Sequence, residues 1–265
     1  MTAATATRPD ATPQAVAEKA GVTPAGGDWR ALLLQPALLV AAVLAFVIWR
    51  ATADLSDTEA RQLGWEALSS SILEHLQLTA VAAVIVLVVA VPLGIALTRR
   101  PLRRASPAVL AVANTGQAAP AIGLFVLLAT WQGFGFRTAV ATLVLYSALP
   151  VLRNTMVGIE GVDPRLVEAG RGVGMSALAV LLRVELPLAV PVLLSGVRTA
   201  LVLLVGTATL ATFIDGGGLG VLITTGINLS LNALLVSGAV LVALLALAVD
   251  WLGRVVEHVA RPKGL

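Results

Sequence analysis

At 265 residues, with 58% hydrophobic and only 12% charged side chains, the chain has too few charges to clothe a water-facing surface; globular domains carry about 25%. The apolar mass lies in long Leu, Val and Ala runs, which read as membrane-crossing helices, because strands of a membrane barrel would alternate apolar and polar residues. The net charge of +3 comes almost wholly from arginines. The absence of cysteine excludes disulfides, thiolate metal sites and cysteine nucleophiles, and neither lysine, Lys19 or Lys263, sits in a phosphate loop, so any ATP is bound by another chain.

In chain order, residues 1–28 are rich in Ala, Thr, Pro and Gly and lack apolar periodicity, so they read as a disordered cytoplasmic tail. The first span is expected over 31–49, bracketed by Trp29 and Trp49 at the two interfaces. A cleaved leader ending near Ala51-Thr52-Ala53 is the rival, opposed by the long leading tail, the full-length span and Arg50. An acidic external connector follows to residue 71, with an amphipathic piece around Trp65. The next expected spans are 72–97, 107–131 (interrupted by Asn114, Gln117, Pro120 and Gly123), 136–152 (closed by Arg153-Asn154), 188–213 and 231–253. The fold class is therefore all-α and polytopic, with about six transmembrane helices.

Between the last two spans, Leu219 to Ile227 is too short to cross and reads as re-entrant or interfacial. The Gly216-Gly217-Gly218-Leu219-Gly220 run is no dinucleotide loop, since the third glycine of that pattern falls on Val221; it reads as a flexible turn. His75 and His258 are far apart in sequence, and no metal or cofactor is expected. Arg99, Arg100, Arg103 and Arg104 read as a cytoplasmic anchor and not as a nucleic-acid patch. With the tail inside, fourteen of the eighteen cations are cytoplasmic, only Arg50, Arg61 and Arg137 face out, and Arg198 lies within a span. Both termini are thus expected inside, and so is the polar stretch 160–187. Arg198 can snorkel, pair with a carbonyl or line an inner vestibule; apart from it the span interiors read as free of ionisable groups, against an ion-coupled secondary transporter.

The polar stretch EGVDPRLVEAGRGVGMSALAVLLRVELP is set for two short helices. Asp163 is placed to cap the first with Pro164 in its first turn. Gly172 and Gly174 end it and start a turn. A second helix from about Ser176 to Val184 leads to a bend at Pro187. Gly170 and Gly174 would share a face only if the first helix continued. Such a helix-turn-helix suits docking into a partner's groove, with Glu168 the most exposed candidate contact; an interfacial loop whose glycines only turn is the plain alternative.

Within this stretch the spacing Glu168-Ala169-Gly170, three residues, Gly174, nine residues, Val184-Glu185-Leu186-Pro187 resembles the coupling motif of ABC-importer permease subunits, Glu-Ala-Ala-x3-Gly-x9-Ile-x-Leu-Pro. From about His75 to the C-terminus the chain is further similar to permeases of osmoprotectant importers for glycine betaine, carnitine and choline. The blocks that carry this are VPLGIALTR (91–99), YSALPVLRNT (146–155), GVRTA (196–200), ATLA (208–211) and GGGLG (216–220). Where that family reads Gln-Thr-Leu-Pro-Ser, this chain has Gln117-Ala118-Ala119-Pro120-Ala121. The resemblance implies a core over 72–265 of five helices, as in type I importers, with the first helix and connector (29–71) as an addition. It implies a non-enzymatic subunit of an importer in a bacterial inner membrane, partnered by ATP-binding subunits, a second or sister permease and an extracytoplasmic binding protein. An importer for another small solute, such as an amino acid, is the alternative. Coupling would fall to Glu168, Ala169, Gly170, Gly174, Val184, Leu186 and Pro187. The polar residues within spans, Asn114, Gln117, Tyr146, Thr207, Thr209 and Thr212, are candidate walls of the substrate path, and each threonine is as readily explained by a bond to its own backbone.

Overall fold

In a computed structural model the described residues, 29–260, are helical almost throughout. The expected disordered tail falls outside them. Helix α1 runs Trp29–Thr52, a short α2 covers Asp57–Gln62, and α3 is Trp65–Leu97. After a 3-10 turn at Arg103–Ala105 come α4 (Ser106–Ala118), α5 (Ala121–Gln132) and α6 (Phe136–Glu160). Helix α7 (Pro164–Gly172) precedes a continuous helical rod, α8 (Ala177–Ile214), then α9 (Gly220–Asn228) and α10 (Asn232–Ala260). Five of these, α1, α3, α6, α8 and α10, are long and apolar enough to cross a membrane; the bent pair α4–α5 makes a sixth if counted as one span.

The interrupted third span is broken outright, and three other expectations need correction. Ala119 is extended (φ −63°, ψ 145°) before Pro120, and the two halves meet at 102°. Proline forbids the α conformation to the residue before it and offers no N–H, which breaks the helix there. The second span begins at Trp65, so the amphipathic piece is its first turns. Helix α6 does not close at Arg153-Asn154; it runs two turns further because Thr155, Met156, Gly158 and Ile159 are buried against neighbouring helices. No bend follows Pro187 either. A π turn at Leu181–Glu185, in which the Leu186 N–H reaches the Leu181 carbonyl, carries the helix through the proline without the clash an α turn would impose.

Helix α6 is the hub, packed between α3 and α8. Lipid tails are as apolar as the helix surfaces, so the helices gain by close fit more than by escape from water. Two glycines supply that fit. A Cβ on Gly94 of α3 would lie 2.8 Å from Thr155 Cβ and 3.1 Å from the Leu152 carbonyl oxygen; one on Gly196 of α8 would lie 2.5 Å from Asn154 Cβ and 2.7 Å from the Pro150 oxygen. Around these contacts one apolar cluster gathers Leu78, Phe125, Leu143, Leu204 and Ile214, and a second Val86, Leu97, Val151, Met156 and Ala200.

Helix α1 is peripheral, mostly exposed and resting on α10 and the start of α3. Arg50 fastens its end: the guanidinium sits 4.4 Å over the Trp65 ring and donates to the Leu63 carbonyl. In the connector, the Ser56 hydroxyl and backbone N–H hold the Glu59 carboxyl below its ordinary pKa and close a capping box on α2. Between α1, α3 and α10 runs an almost wholly apolar groove of about 520 Å³ lined by Leu39, Val43, Ile72, Leu241 and others, chemistry suited to acyl chains.

Gly94→Ala is expected to destabilise by about 1–3 kcal/mol through overpacking against Thr155. Gly172→Ala, where an added Cβ meets nothing within 4 Å, is the control. Thermal unfolding of the purified protein in detergent should separate them; equal midpoints would overturn the role given to Gly94.

Candidate functional site

Two regions gather the candidate residues: the segment between α6 and α8, and a cleft between α4–α5, α6 and α8. In the segment, Asp163 caps α7, its Oδ1 accepting the Arg165 N–H at 2.9 Å, with Pro164 in the first turn. The far end is closed by a Schellman pair: Met175 N–H to the Gly170 carbonyl at 3.1 Å and Gly174 N–H to the Arg171 carbonyl at 3.0 Å. Gly174 takes φ +86°, which an L side chain resists, so the two glycines of the motif have different roles. Gly170 is buried, and a Cβ there would touch Val180, Met175 and Val184 at 3.4–3.7 Å, because α7 folds back on the first turns of α8. Ser176 caps that second helix, its Oγ accepting the Ala179 N–H.

At roughly 1.5 Å per residue the 38 residues of α8 extend about 57 Å, almost twice a hydrocarbon core of about 30 Å. Only about half of it fits within the lipid, and the charged residues of α7 beside its first turns mark the end that stands outside. Glu168 and Ala169 are exposed there, Val184 and Leu186 half-buried, and Pro187 exposed. Unlike a solvated loop, the segment also exposes apolar side chains: Leu166 (47%), Val173 (76%), Leu178 (64%) and Leu182 (54%).

The second region is an open cleft of about 610 Å³ whose lining includes Gln117, Tyr146, Thr199, Gly206, Thr207 and Thr209. Four of the candidate path residues, Gln117, Tyr146, Thr207 and Thr209, thus meet at one surface. Asn114 is exposed on α4 and Thr212 half-buried at the end of α8; neither lines the cleft. The Thr207 and Thr209 hydroxyls donate to the Leu203 and Gly206 carbonyls at 2.7 and 2.8 Å, so their protons are engaged within their own helix. The walls are otherwise aliphatic, with one aromatic face.

Several polar groups hold the frame through partners that sequence reasoning did not foresee. Glu185, in the variable position of the motif, is buried and bidentate to Arg99. Arg198 pairs with carboxylates, which sequence reasoning does not offer as its partners: Asp250 at 3.5 Å and Glu257 at 3.3 Å, two turns apart on α10, while Asp250 also holds Arg254 at 2.5 Å. Asp250 thus puts an ionisable group inside the expected last span. The glycine run is no flexible turn. Gly217 and Gly218 take φ +80° and +90°; the Glu74 carboxylate accepts the Gly218 N–H at 3.0 Å, and His75 Nδ1 accepts the Leu219 N–H at 3.3 Å while Nε2 lies 3.0 Å from the Val205 carbonyl. Both ring nitrogens are used, so His75 is a neutral structural brace with Nε2 protonated. The available signal was a charged and a titratable residue, Glu74-His75, at the head of an otherwise apolar span.

Comparison with known proteins bears on these regions. The family model described as binding-protein-dependent transport system inner membrane component matches residues 90–261. The glycine betaine/carnitine/choline transport system permease protein OpuCB of Bacillus subtilis is 42% identical over 192 residues, 72% of this chain and 88% of that protein. The osmoprotectant import permease protein OsmW of Salmonella typhimurium is 37% identical over 203 residues, 75% and 94% of the two chains. Among solved structures, an inward-facing form of the MetNI methionine ABC transporter aligns with a TM-score of 0.66 at 22% identity, covering 78% of this chain and 100% of that one. At that identity the likeness concerns the fold.

Gly170→Ala should stabilise the protein by about 0.5–1 kcal/mol, by removing glycine's entropic cost within a helix and adding contacts to Val180 and Met175. Gly174→Ala should destabilise it by about 1–2 kcal/mol, the cost of a left-handed backbone with a Cβ. Equal shifts for the two in chemical or thermal unfolding would contradict the division of labour.

Proposed function

The chain belongs to the family of binding-protein-dependent transport system inner membrane components, and on that premise we propose how its two regions divide the work. It is a multi-pass membrane permease subunit of an ABC importer. It imports glycine betaine, carnitine, choline or a similar compatible solute, the substrates named for its relatives. It sits in a bacterial inner membrane with both termini cytoplasmic. Residues 72–265 form the transport core, with 29–71 a peripheral addition, and the core pairs with a second copy or a sister permease.

The observation that carries this reading is the exposed apolar helix-turn-helix beyond the lipid, with Glu168 on its surface. Apolar side chains left bare in water mark a docking surface. The occupant is an ATP-binding subunit: α7 and the first turns of α8 lie in a groove on it, and Glu168 meets a basic rim. Gly170 lets the two helices lie close, Gly174 makes the turn, and exposed Ala169 leaves room beside Glu168 for the partner, while Val184, Leu186 and Pro187 carry the segment into the rest of α8 without a hinge. ATP-driven closure of the two ATP-binding subunits moves this segment, tilts the spans and opens the cleft outward; hydrolysis resets it. The permease makes and breaks no covalent bond.

The cleft is the substrate passage. Gln117, Tyr146, Thr207 and Thr209 form its polar track, and Asn114 and Thr212 flank it. One aromatic face is too few to cage a quaternary ammonium tightly, which calls for several ring faces. Capture at high affinity therefore falls to an extracytoplasmic binding protein, and the permease offers weak, transient contacts that let the solute leave.

Uptake of radiolabelled betaine into proteoliposomes should require the ATP-binding subunits, ATP and a loaded binding protein. Transport by this chain alone would overturn the reading. Glu168→Arg should uncouple ATP hydrolysis from uptake or weaken assembly, by about tenfold if it forfeits one charge-assisted contact of about 1.5 kcal/mol. Tyr146→Ala in an inserted, assembled protein should alter uptake while leaving binding-protein affinity, measured by calorimetry, unchanged.

A further inference from the structure

We infer that the Arg99–Glu185 pair is a strut that carries motion of the docking segment into α3; this rests on the proposed coupling to ATP-binding subunits. The docking segment reaches α8 directly, because the rod from Ala177 to Ile214 passes Pro187 without a break. No such continuity joins it to α3, which ends at Leu97, far away in the chain. Among the described residues, the one ion pair between α3's end and the base of α8 is this one. Arg99 Nη1 donates to Glu185 Oε1 at 3.2 Å, and Nη2 donates to Oε2.

Three features suit the pair to bear load. The planar guanidinium grips the carboxylate with two parallel bonds, which fixes orientation as well as distance. Arg99 stands on a pinned turn: its N–H donates to the Ala96 carbonyl at 3.0 Å, and its own carbonyl accepts from Leu102 and Arg103 at 3.0 and 2.9 Å. At the other end, the Glu185 side chain is only 6% exposed and closes the π turn, the place where a helix can change register most readily. The pair therefore fixes that turn's register to α3. The neighbouring arginines make no such link, since Arg100, Arg103 and Arg104 are exposed and have no ion-pair partner among the described residues. Glu185 and Arg99 are positioning residues, touching no substrate and acting through the helices they join.

The test uses the full importer, this chain with its ATP-binding subunits and binding protein, in proteoliposomes, reading solute imported per ATP hydrolysed alongside the amount of assembled complex. Glu185→Gln and Arg99→Gln should assemble, hydrolyse ATP without stimulation by loaded binding protein, and lose about tenfold in the solute-to-ATP ratio, the size of an ordinary coupling between sites. The reversal Arg99→Glu with Glu185→Arg should recover most of the ratio. Where the neutral variants do not assemble, Arg99→Lys keeps the carboxylate paired but gives up the two-pronged grip, and should lower the ratio in a complex of normal abundance. Assembled variants with the wild-type ratio, an assembled reversal that recovers nothing, or an Arg99→Lys protein that couples normally would each overturn the strut. Uptake by the wild-type chain without ATP-binding subunits would instead overturn the functional reading on which it rests.

Discussion

Everything in this protein depends on how closely two helices can approach α6. In lipid, apolar side chains gain little by choosing one another over acyl tails, so a bundle holds where backbones come near enough for dense contact. Gly94 of α3 and Gly196 of α8 meet α6 at Thr155 and Asn154, adjacent residues, so both neighbours are held to α6 at one level. With α3 and α8 held there, Arg99 and Glu185 come within reach of one another, and Tyr146 and Thr207 come to line one cleft.

Polar groups then fasten what close packing positions. Most charged and polar ties lie toward helix ends: Arg50 to Trp65 and Leu63, Glu74 and His75 to the glycine loop, and Arg99 to Glu185, while Arg198 with Asp250 and Glu257 lies further in. Such ties near a membrane surface escape the full cost of burying charge in hydrocarbon while still limiting how helices slide. The middle of the bundle, by contrast, is held by apolar clusters and small residues. A transporter that must tilt its spans gains from this arrangement, because motion can enter at fastened ends and pass through a tightly packed middle.

Much of this was legible in the residues. Runs of Leu, Val and Ala announced the spans, and Pro120 within an interrupted run announced a break. The caps at Asp163 and Ser176 and the turn at Gly174 follow from local rules that need no partner helix. Other features were opaque because they are settled by contacts between distant segments. Glu185 looked like one more polar residue of an interfacial stretch until α3 brought Arg99 to it across 86 positions. Thr207 and Thr209 could line a cleft or bond their own backbone, and the two are not exclusive: both hydroxyls donate to carbonyls of their own helix, and both residues lie on the cleft wall.

The residues alone, then, establish an all-helical membrane protein with about six crossings and a polar helix-turn-helix between its fourth and fifth spans. Those properties are additive along the chain: hydropathy, charge and capping each depend on a few neighbouring residues. It took the packed bundle to reveal that α8 runs straight through Pro187, that the glycine run is a braced loop, that four of six candidate polar residues share a cleft, and which charges meet. Those outcomes depend on helix rotation and depth, and rotation and depth are set by which small residues face one another across a contact that no local pattern records.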